Sequence, residues 1–308
     1  MNISPHDKPI KPRVLQVYQR LINRKAFTEF DKNKYFNTRI GYEGEIQFYS
    51  FLQRIAPDSH LALYSLSLKH NNTPFQIDTL LINRNTIYLF EIKNYSGDFV
   101  IQNNNWYICS PRKEILNPFI QLKRSESLLR QFLSSHQINI PIQSYIVFIN
   151  PEFTLYNAPI NQQIIFHSQL KRFFHSQFFQ IEPPSKEQSQ FAKLLIKYHI
   201  EESSLEDLPS YTFPELKKGI KCPFCLKFMD VKNLKSVICK QCNYTEKNEK
   251  AVLRAVKEYQ VLFPDMAVTT NNIFNWCNIL SKNIIRRILN KHFEQNGQSK
   301  NITYTNKI

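Results

Sequence analysis

The run Ile87-Tyr88-Leu89-Phe90 is hydrophobic at every position, so a strand formed there must be covered on both of its faces. That requirement narrows the fold to a sheet with a layer on either side. The run belongs to the second of two β-rich segments, Phe75–Ile82 and Thr86–Ile92, which Asn83-Arg84-Asn85 separates as a hairpin signal. Acids stand where buried strands do not tolerate them: Asp78 interrupts the first segment, and Glu91 and Lys93 close the second. Because strand side chains alternate, Glu91 and Lys93 share one face while Phe90 and Ile92 take the other. Burying a carboxylate at a strand end is costly unless a cation or hydrogen bonds compensate. Two carboxylates beside one ammonium suit a hard divalent cation, Mg²⁺ or Mn²⁺. Asp78 and Glu91 would be its ligands and Lys93 would orient or deprotonate an attacking water, as phosphodiester hydrolysis requires. An exposed ion pair of little energetic value has the same spacing, so the pattern alone leaves both readings open.

Four blocks in order carry a wider pattern: Gly41-Tyr42-Glu43-Gly44-Glu45, Gln76-Ile77-Asp78-Thr79-Leu80-Leu81, Phe90-Glu91-Ile92-Lys93-Asn94-Tyr95-Ser96-Gly97, and Asn117-Pro118 with Gln121. Together they resemble the NERD (nuclease-related) domain of the PD-(D/E)xK restriction-endonuclease-like superfamily, over residues 40–199. The resemblance implies an α/β fold, a restriction-endonuclease-like mixed sheet flanked by helices, with Asp78, Glu91 and Lys93 as motif residues. It also implies that Glu45 and Gln121, each on a helix, face the same catalytic site. From spacing alone Gln121 reads as a solvated helix residue. Ile77, not proline, precedes Asp78, a departure from the superfamily's name.

The second strong signal is Cys222-Pro223-Phe224-Cys225 followed by Cys239-Lys240-Gln241-Cys242. Four thiolates in two knuckles close a tetrahedral Zn²⁺ site with no open position, which makes the metal structural. So small a segment depends on its metal to fold, and the intervening β-type and turn residues suit a small four-cysteine zinc ribbon. Cys109 and Cys277 lack ligand neighbours and read as buried thiols.

Charge is unevenly shared. Of the formal +15, residues 209–308 carry +10 (17 Lys and Arg against 7 Asp and Glu) and residues 1–208 only +5. This asymmetry favours a polyanion-binding C-terminal module; nucleic acid, DNA in particular, is the partner that the resemblance implies. Lys221, Lys227, Lys232, Lys235 and Lys240 of the ribbon are the expected phosphate contacts. A basic surface without a partner has the same composition. The chain has no apolar run of membrane-spanning length and no signal-peptide core at its N-terminus, so a cytoplasmic protein without membrane contact is expected.

Periodicity places a helix over residues 14–30, with Val14, Val17, Tyr18, Leu21 and Ile22 as its apolar stripe, packed on the following domain as an N-terminal extension (1–39). The nuclease-like domain (40–200) should hold a helix from Ile40 to Ile55 with Ile46, Tyr49, Phe51 and Leu52 inward. A strand at 61–68, the hairpin, a short strand pair around 98–102 and 106–109, and a helix over 117–137 with Ile120, Leu128, Leu129, Phe132 and Leu133 inward follow. Strands at 142–150 and 163–166 and helices at 169–174 and 185–200 complete it. Residues 201–214 read as a linker, 215–248 as the ribbon and 249–308 as a short helical C-terminal module. In that module Thr270–Trp276 and Ser281–Phe293, each opened by a cap signal, have the outline of a helix-turn-helix. Lys282, Asn283, Arg286, Arg287 and Lys291 of its second helix would then meet nucleic acid. An ordinary helical cap fits the same pattern. Two functions are consistent with these features: a Mg²⁺-dependent nuclease with a basic zinc-ribbon module, and a non-catalytic nucleic-acid-binding protein that keeps the nuclease fold.

Overall fold

The computed structural model describes residues 7–55, 61–83, 86–160, 163–178, 185–200, 208–297 and 302–307. Its elements run α1 (Arg13–Leu21), α2 (Glu29–Ile55), β1 (Leu61–His70), β2 (Thr73–Asn83), β3 (Thr86–Lys93), β4 (Gly97–Gln102), β5 (Asn105–Ile108), β6 (Lys113–Ile115), α3 (Pro118–Ser135) and β7 (Ile142–Phe148). There follow β8 (Phe153–Tyr156), β9 (Ile164–Phe166), a 3-10 turn at His167–Gln169, α4 (Leu170–Phe178), α5 (Lys186–Lys197), β10 (Asp230–Asn233), β11 (Ser236–Ile238) and β12 (Thr245–Lys247). The chain ends with α6 (Asn248–Leu262), α7 (Thr270–Cys277), α8 (Lys282–His292), β13 (Phe293–Asn296) and β14 (Thr303–Asn306). Two compact units result: Met1–Pro12 with Phe36–Glu206, and Arg13–Tyr35 with Asp207–Ile308. Among the described residues, no helix is long and apolar enough to cross a membrane.

The first unit is built on a five-stranded mixed sheet of order β1-β2-β3-β7-β9. β1, β2 and β3 pair antiparallel, and β3, β7 and β9 pair parallel. Alternation divides each strand between two cores. Leu80, Ile82, Ile87 and Leu89 join Leu122, Leu129 and Phe132 of α3 and Leu195 of α5 on one face. Leu81, Tyr88, Phe90 and Ile92 join Phe48 and Leu52 of α2 and Leu170 and Phe174 of α4 on the other. The central strand β3 is therefore covered on both sides, as its composition demands. A second sheet, β6-β5-β4-β8, lies within the same unit; β6, with three residues, is too short to show an alternating pattern.

α2 begins well before the expected Ile40. Thr28 and Asp31 form a reciprocal cap, the Asp31 N–H donating to Thr28 Oγ1 (3.1 Å) and the Thr28 N–H to Asp31 Oδ2 (3.0 Å). In α3 the buried stripe is Pro118, Leu122, Ser125, Leu129, Phe132 and Leu133, spaced at three and four residues. The expected Ile120 falls off that stripe and is exposed. Cys277 is buried as expected, whereas Cys109, just beyond the end of β5, is exposed. Arg84 and Asn85 of the hairpin turn and residues 201–207 of the expected linker lie outside the described residues.

The second unit has one core, shared by the three-stranded β10-β11-β12 sheet, α6, α7, α8 and, unexpectedly, α1. Val17 and Leu21 of α1 pack there with Val252, Tyr259, Trp276 and Leu289, so the N-terminal helix belongs to the second unit and not to the nuclease-like one. Arg24, fully buried, locks this arrangement. Its guanidinium donates to Glu258 (Nε 3.1 Å, Nη2 2.6 Å) and to the carbonyls of Lys217 (2.6 Å) and Gly219 (2.9 Å), and lies 3.8 Å from the Trp276 ring centroid. Desolvation offsets most of the attraction in such a pair, so its main effect is to specify position. Gly219 holds φ +131° with Phe228 so close that a Cβ would stand 2.7 Å from its ring, which leaves room for glycine alone. A β13–β14 hairpin follows α8, where only a helix end was expected.

Candidate functional site

The β2–β3 ladder pairs Thr79 with Phe90, so one step further Asp78 stands opposite Glu91. Cross-strand neighbours are about 5 Å apart, which brings two carboxylates together on the α3 side of the sheet. Asp78 Oδ2 accepts the N–H of Ile92 (2.8 Å), which fixes its rotamer at the strand end. Lys93 Nζ donates to Glu91 Oε1 (2.7 Å) and to Gln121 Oε1 (2.8 Å). Gln121 is placed there by the start of α3, where Asn117 Oδ1 caps the Phe119 N–H (3.0 Å) and Pro118 occupies the first turn. Asp78, Glu91, Lys93 and Gln121 thus converge.

Glu45 is held differently. Its carboxylate accepts from Ser65 Oγ (3.2 Å), on the strand next to Asp78, between the Tyr64–Thr79 and Leu66–Ile77 pairs. α2 reaches this position because Gly44 lets it touch the end of β3. A Cβ at Gly44 would meet Asn94 Cβ at 2.7 Å, and Asn94 Nδ2 donates to the Ile40 carbonyl (2.9 Å). Tyr95, two residues past Lys93, is a member of the cluster that pattern reasoning did not single out. Burial raises its phenol above the ordinary value, with the charges of Lys93 and Glu91 acting on it in opposite senses.

The electrostatics follow from two acids buried beside one ammonium. Burial first, and then the Asp78 charge, push the Glu91 carboxyl up to about 8 despite Lys93. Burial also raises Asp78, against the pull of Lys93 and the Ile92 N–H. For Lys93 burial acts downward, but Glu91 and Asp78 outweigh it and hold the ammonium above its ordinary value. One ammonium cannot neutralise two opposed buried carboxylates, so the donor set fits a hard divalent ion held by Asp78 and Glu91.

In the second unit the four cysteines gather. All four sulfurs lie within 4.8 Å of one another, with Cys222–Cys242 at 3.6 Å and Cys225–Cys239 at 3.3 Å. Ligands at Zn–S bonding distance on a tetrahedron stand about 3.8 Å apart, so the spacing fits one ion. Both knuckles have the same backbone. Leu226 N–H donates to the Cys222 carbonyl and Asn243 N–H to that of Cys239, and Leu226 and Asn243 are both left-handed (φ 60° and 57°). Burial raises the Cys239 thiol, but N–H bonds from Cys242 and Gln241 and its contact with Cys225 bring it down to about 7. Among the described residues this is the only group of three or more such ligands close enough to share an ion.

Comparison with known proteins bears on the first unit. Residues 40–149 match the family described as the nuclease-related domain, a span that contains Glu45, Asp78, Glu91, Lys93 and Gln121. The chain carries a nuclease-related domain. Among curated proteins, none matches. One solved structure, the small subunit (R.BspD6I2) of the heterodimeric restriction endonuclease R.BspD6I, is similar at 10% identity over 60% of this chain and 86% of that one, with a TM-score of 0.22.

The basic residues of the second unit divide. Lys221 is buried, its Nζ donating to the carbonyls of Arg20 (2.7 Å) and Ile22 (3.1 Å) beside Glu258 (3.0 Å), so it is no phosphate contact. Lys227, Lys232, Lys235, Lys240, Lys282, Arg286, Arg287 and Lys291 are exposed. Lys240 pairs with Asp230 (3.3 Å) and Lys291 with Glu249 (2.8 Å). α7 and α8 pack together through the turn at 278–281, where Asn278 takes the left-handed cap. Beside them, Lys247, Glu249, Lys250, Arg254 and Lys257 surround Leu253 in a groove of about 560 Å³, with Arg254 half-buried and paired with Glu246. Lys250, Arg254 and Lys257 of α6 escaped pattern reasoning because they alternate with core positions of an ordinary amphipathic helix.

The raised Glu91 carboxyl gives the nuclease-related domain a pH signature. Between its ordinary 4.5 and about 8, folded Glu91 retains a proton that the unfolded chain has released. Stability therefore falls as pH rises through this window. In a chelator the domain is expected to melt lower at about pH 8 than at about pH 5.5, and Glu91→Gln should flatten the difference. Millimolar Mg²⁺ should restore the loss at the upper pH in wild type only. Thermal melts check this; an equal fall in the Gln variant would assign the slope elsewhere.

Proposed function

We propose that the chain is a divalent-cation-dependent nuclease that hydrolyses phosphodiester bonds in DNA, with a zinc-ribbon C-terminal unit that binds nucleic acid. The observation that carries this reading is the pair of opposed carboxylates, Asp78 and Glu91, with Lys93 against one of them, inside a nuclease-related domain. Asp78 and Glu91 would hold Mg²⁺ or Mn²⁺, which when bound supplies Lewis acidity and a lowered pKa for the attacking water. Lys93 supplies a fixed positive charge where the phosphoryl oxygens gain negative charge, and Gln121 holds that ammonium in place. Asp78 is itself oriented by the Ile92 N–H. The choice of DNA rests on the superfamily the domain resembles.

For the second unit, the cysteine geometry supports a structural Zn²⁺, and the exposed cations of the ribbon, α8 and the α6 groove support polyanion binding. The deciding assay incubates the whole chain with single- and double-stranded DNA and RNA, with Mg²⁺, with Mn²⁺ and with chelator. Metal-dependent cleavage of DNA is expected. Salt-sensitive binding without cleavage under every condition would replace the enzyme with a non-catalytic nucleic-acid-binding protein.

A further inference from the structure

The geometry points to a nucleobase subsite beside the acid pair, in the cavity between the ends of β7 and β9 and strand β8. This rests on the nuclease reading and names the part of the substrate that the cavity takes. Lys93, Phe148 and Phe166 are successive register partners across the parallel strands β3, β7 and β9. Their side chains therefore share one face at the C-terminal ends of three adjacent strands. Two strand spacings, about 10 Å, separate Lys93 from Phe166, within reach of one nucleotide. Tyr95 spans the interval. Its phenol feels both Lys93 and Glu91, and its ring lies 6.0 Å from that of Phe148 and 6.2 Å from that of Phe153.

The cavity holds about 250 Å³ and is lined by Phe148, Phe153 and Phe166 with Asn150, Thr154 and His167 among its polar members. Pockets for drug-sized ligands begin near ~300 Å³, so this one takes a single ring system. The three phenyl rings lie within 12°, 22° and 25° of parallel, with Phe148 fully buried and stacked on Phe153 at 4.1 Å, so the apolar surface left to a flat heterocycle is that of the half-buried Phe153 and Phe166. Among the described residues, no lysine, arginine or carboxylate lines it, so the occupant is the uncharged part of a nucleotide and not its phosphate. The polar members are suited to base edges. Asn150 Oδ1 already accepts the Glu152 N–H (3.0 Å), which leaves its amide NH₂ as a donor. A phosphate near Lys93 and a base against the phenyl wall would place one bond of the backbone consistently at the acid pair.

The test uses the full chain and a short single-stranded DNA carrying 2-aminopurine, or an abasic site, at each position in turn. Two exposed lining residues, Thr154 on β8 and Ser168 on the 3-10 turn after β9, are each replaced by tryptophan to fill the cavity, with melting curves confirming that the variants fold. In wild type, 2-aminopurine at one position next to the cleaved bond should be quenched, and an abasic site there should lower cleavage efficiency about 10- to 100-fold. Thr154→Trp and Ser168→Trp should lose the quenching and show the same loss on intact DNA, with no further loss from the abasic site. Position-specific quenching that the fillers abolish supports the subsite even where nothing is cut, an outcome in which only the nuclease reading fails. Metal-dependent cleavage that is indifferent to both fillers and to every abasic site overturns the subsite and leaves the nuclease reading standing. Failure to bind any oligonucleotide overturns both.

Discussion

Asp78→Ala should lower the rate of phosphodiester cleavage by at least about a thousandfold, the equivalent of several kcal/mol of lost transition-state charge stabilisation. The reason lies in the arithmetic of charge at the end of the hairpin. With both acids present, one ammonium faces two carboxylates. With Asp78 gone, Glu91 and Lys93 are left as a closed pair at 2.7 Å with no excess charge to hold a divalent ion. Folding should be affected far less. Alanine leaves the Ile92 N–H without its acceptor, at a cost of about 1–3 kcal/mol, but it also removes a buried acid whose charge opposes that of Glu91. The result to expect is inactivity at a melting temperature close to that of wild type. Lys93→Ala should differ, because Glu91, 2% exposed and without its counter-ion, can then stay buried only as the protonated acid, so in the absence of metal the variant should melt below wild type at about pH 8. Cleavage assays run beside melts of both variants check this, and an active Asp78→Ala enzyme would remove the acid pair from the mechanism.

Removal of zinc should unfold the second unit as a whole and not the ribbon alone. Cys222 and Cys239 are fully buried in the core that also holds Val17, Leu21, Val252, Tyr259 and Trp276. Metal binding in zinc-finger peptides contributes about 10–16 kcal/mol, as much as the entire stability of an ordinary domain. Chelation, or Cys239→Ser, should therefore abolish amide-exchange protection in α1, α6 and α7 together with β10–β12, while the strands of the nuclease-related domain stay protected. Nucleic-acid affinity should fall with it. Hydrogen exchange on the whole chain, with zinc measured by elemental analysis, reads both. Protection retained in α6 and α7 after the metal has gone would show that the helices hold themselves. A fragment of residues 209–308 is a poor substitute, because it lacks Arg24, whose guanidinium satisfies Glu258 and the carbonyls of Lys217 and Gly219.

Much of this was legible in the chain itself. Continuous hydrophobicity of Ile87–Phe90 demanded a strand covered on both faces, and alternation around it placed Glu91 and Lys93 together, since a period of two is a property of the strand and needs no partner. The cap signal at Ser281 and the spacing of the four cysteines are equally local, and at the preceding helix the cap falls on Thr269, one residue before the expected Thr270. What the chain alone could not settle is which surfaces meet. The amphipathic stripe of α1 marks a buried face but says nothing of what buries it, and a core that includes Val252, Tyr259 and Trp276, far along the chain, claimed Val17 and Leu21. Lys221 reads as a surface cation until the carbonyls of Arg20 and Ile22 and the carboxylate of Glu258 close around it. Ile120 reads as core until α3 is rotated by the burial of Leu122 and Leu129. The phenyl wall beside Lys93 exists only because β3, β7 and β9 lie in parallel register. Local patterns specify faces and periods; only packing, summed over contacts distant in sequence, decides which of those faces are brought together.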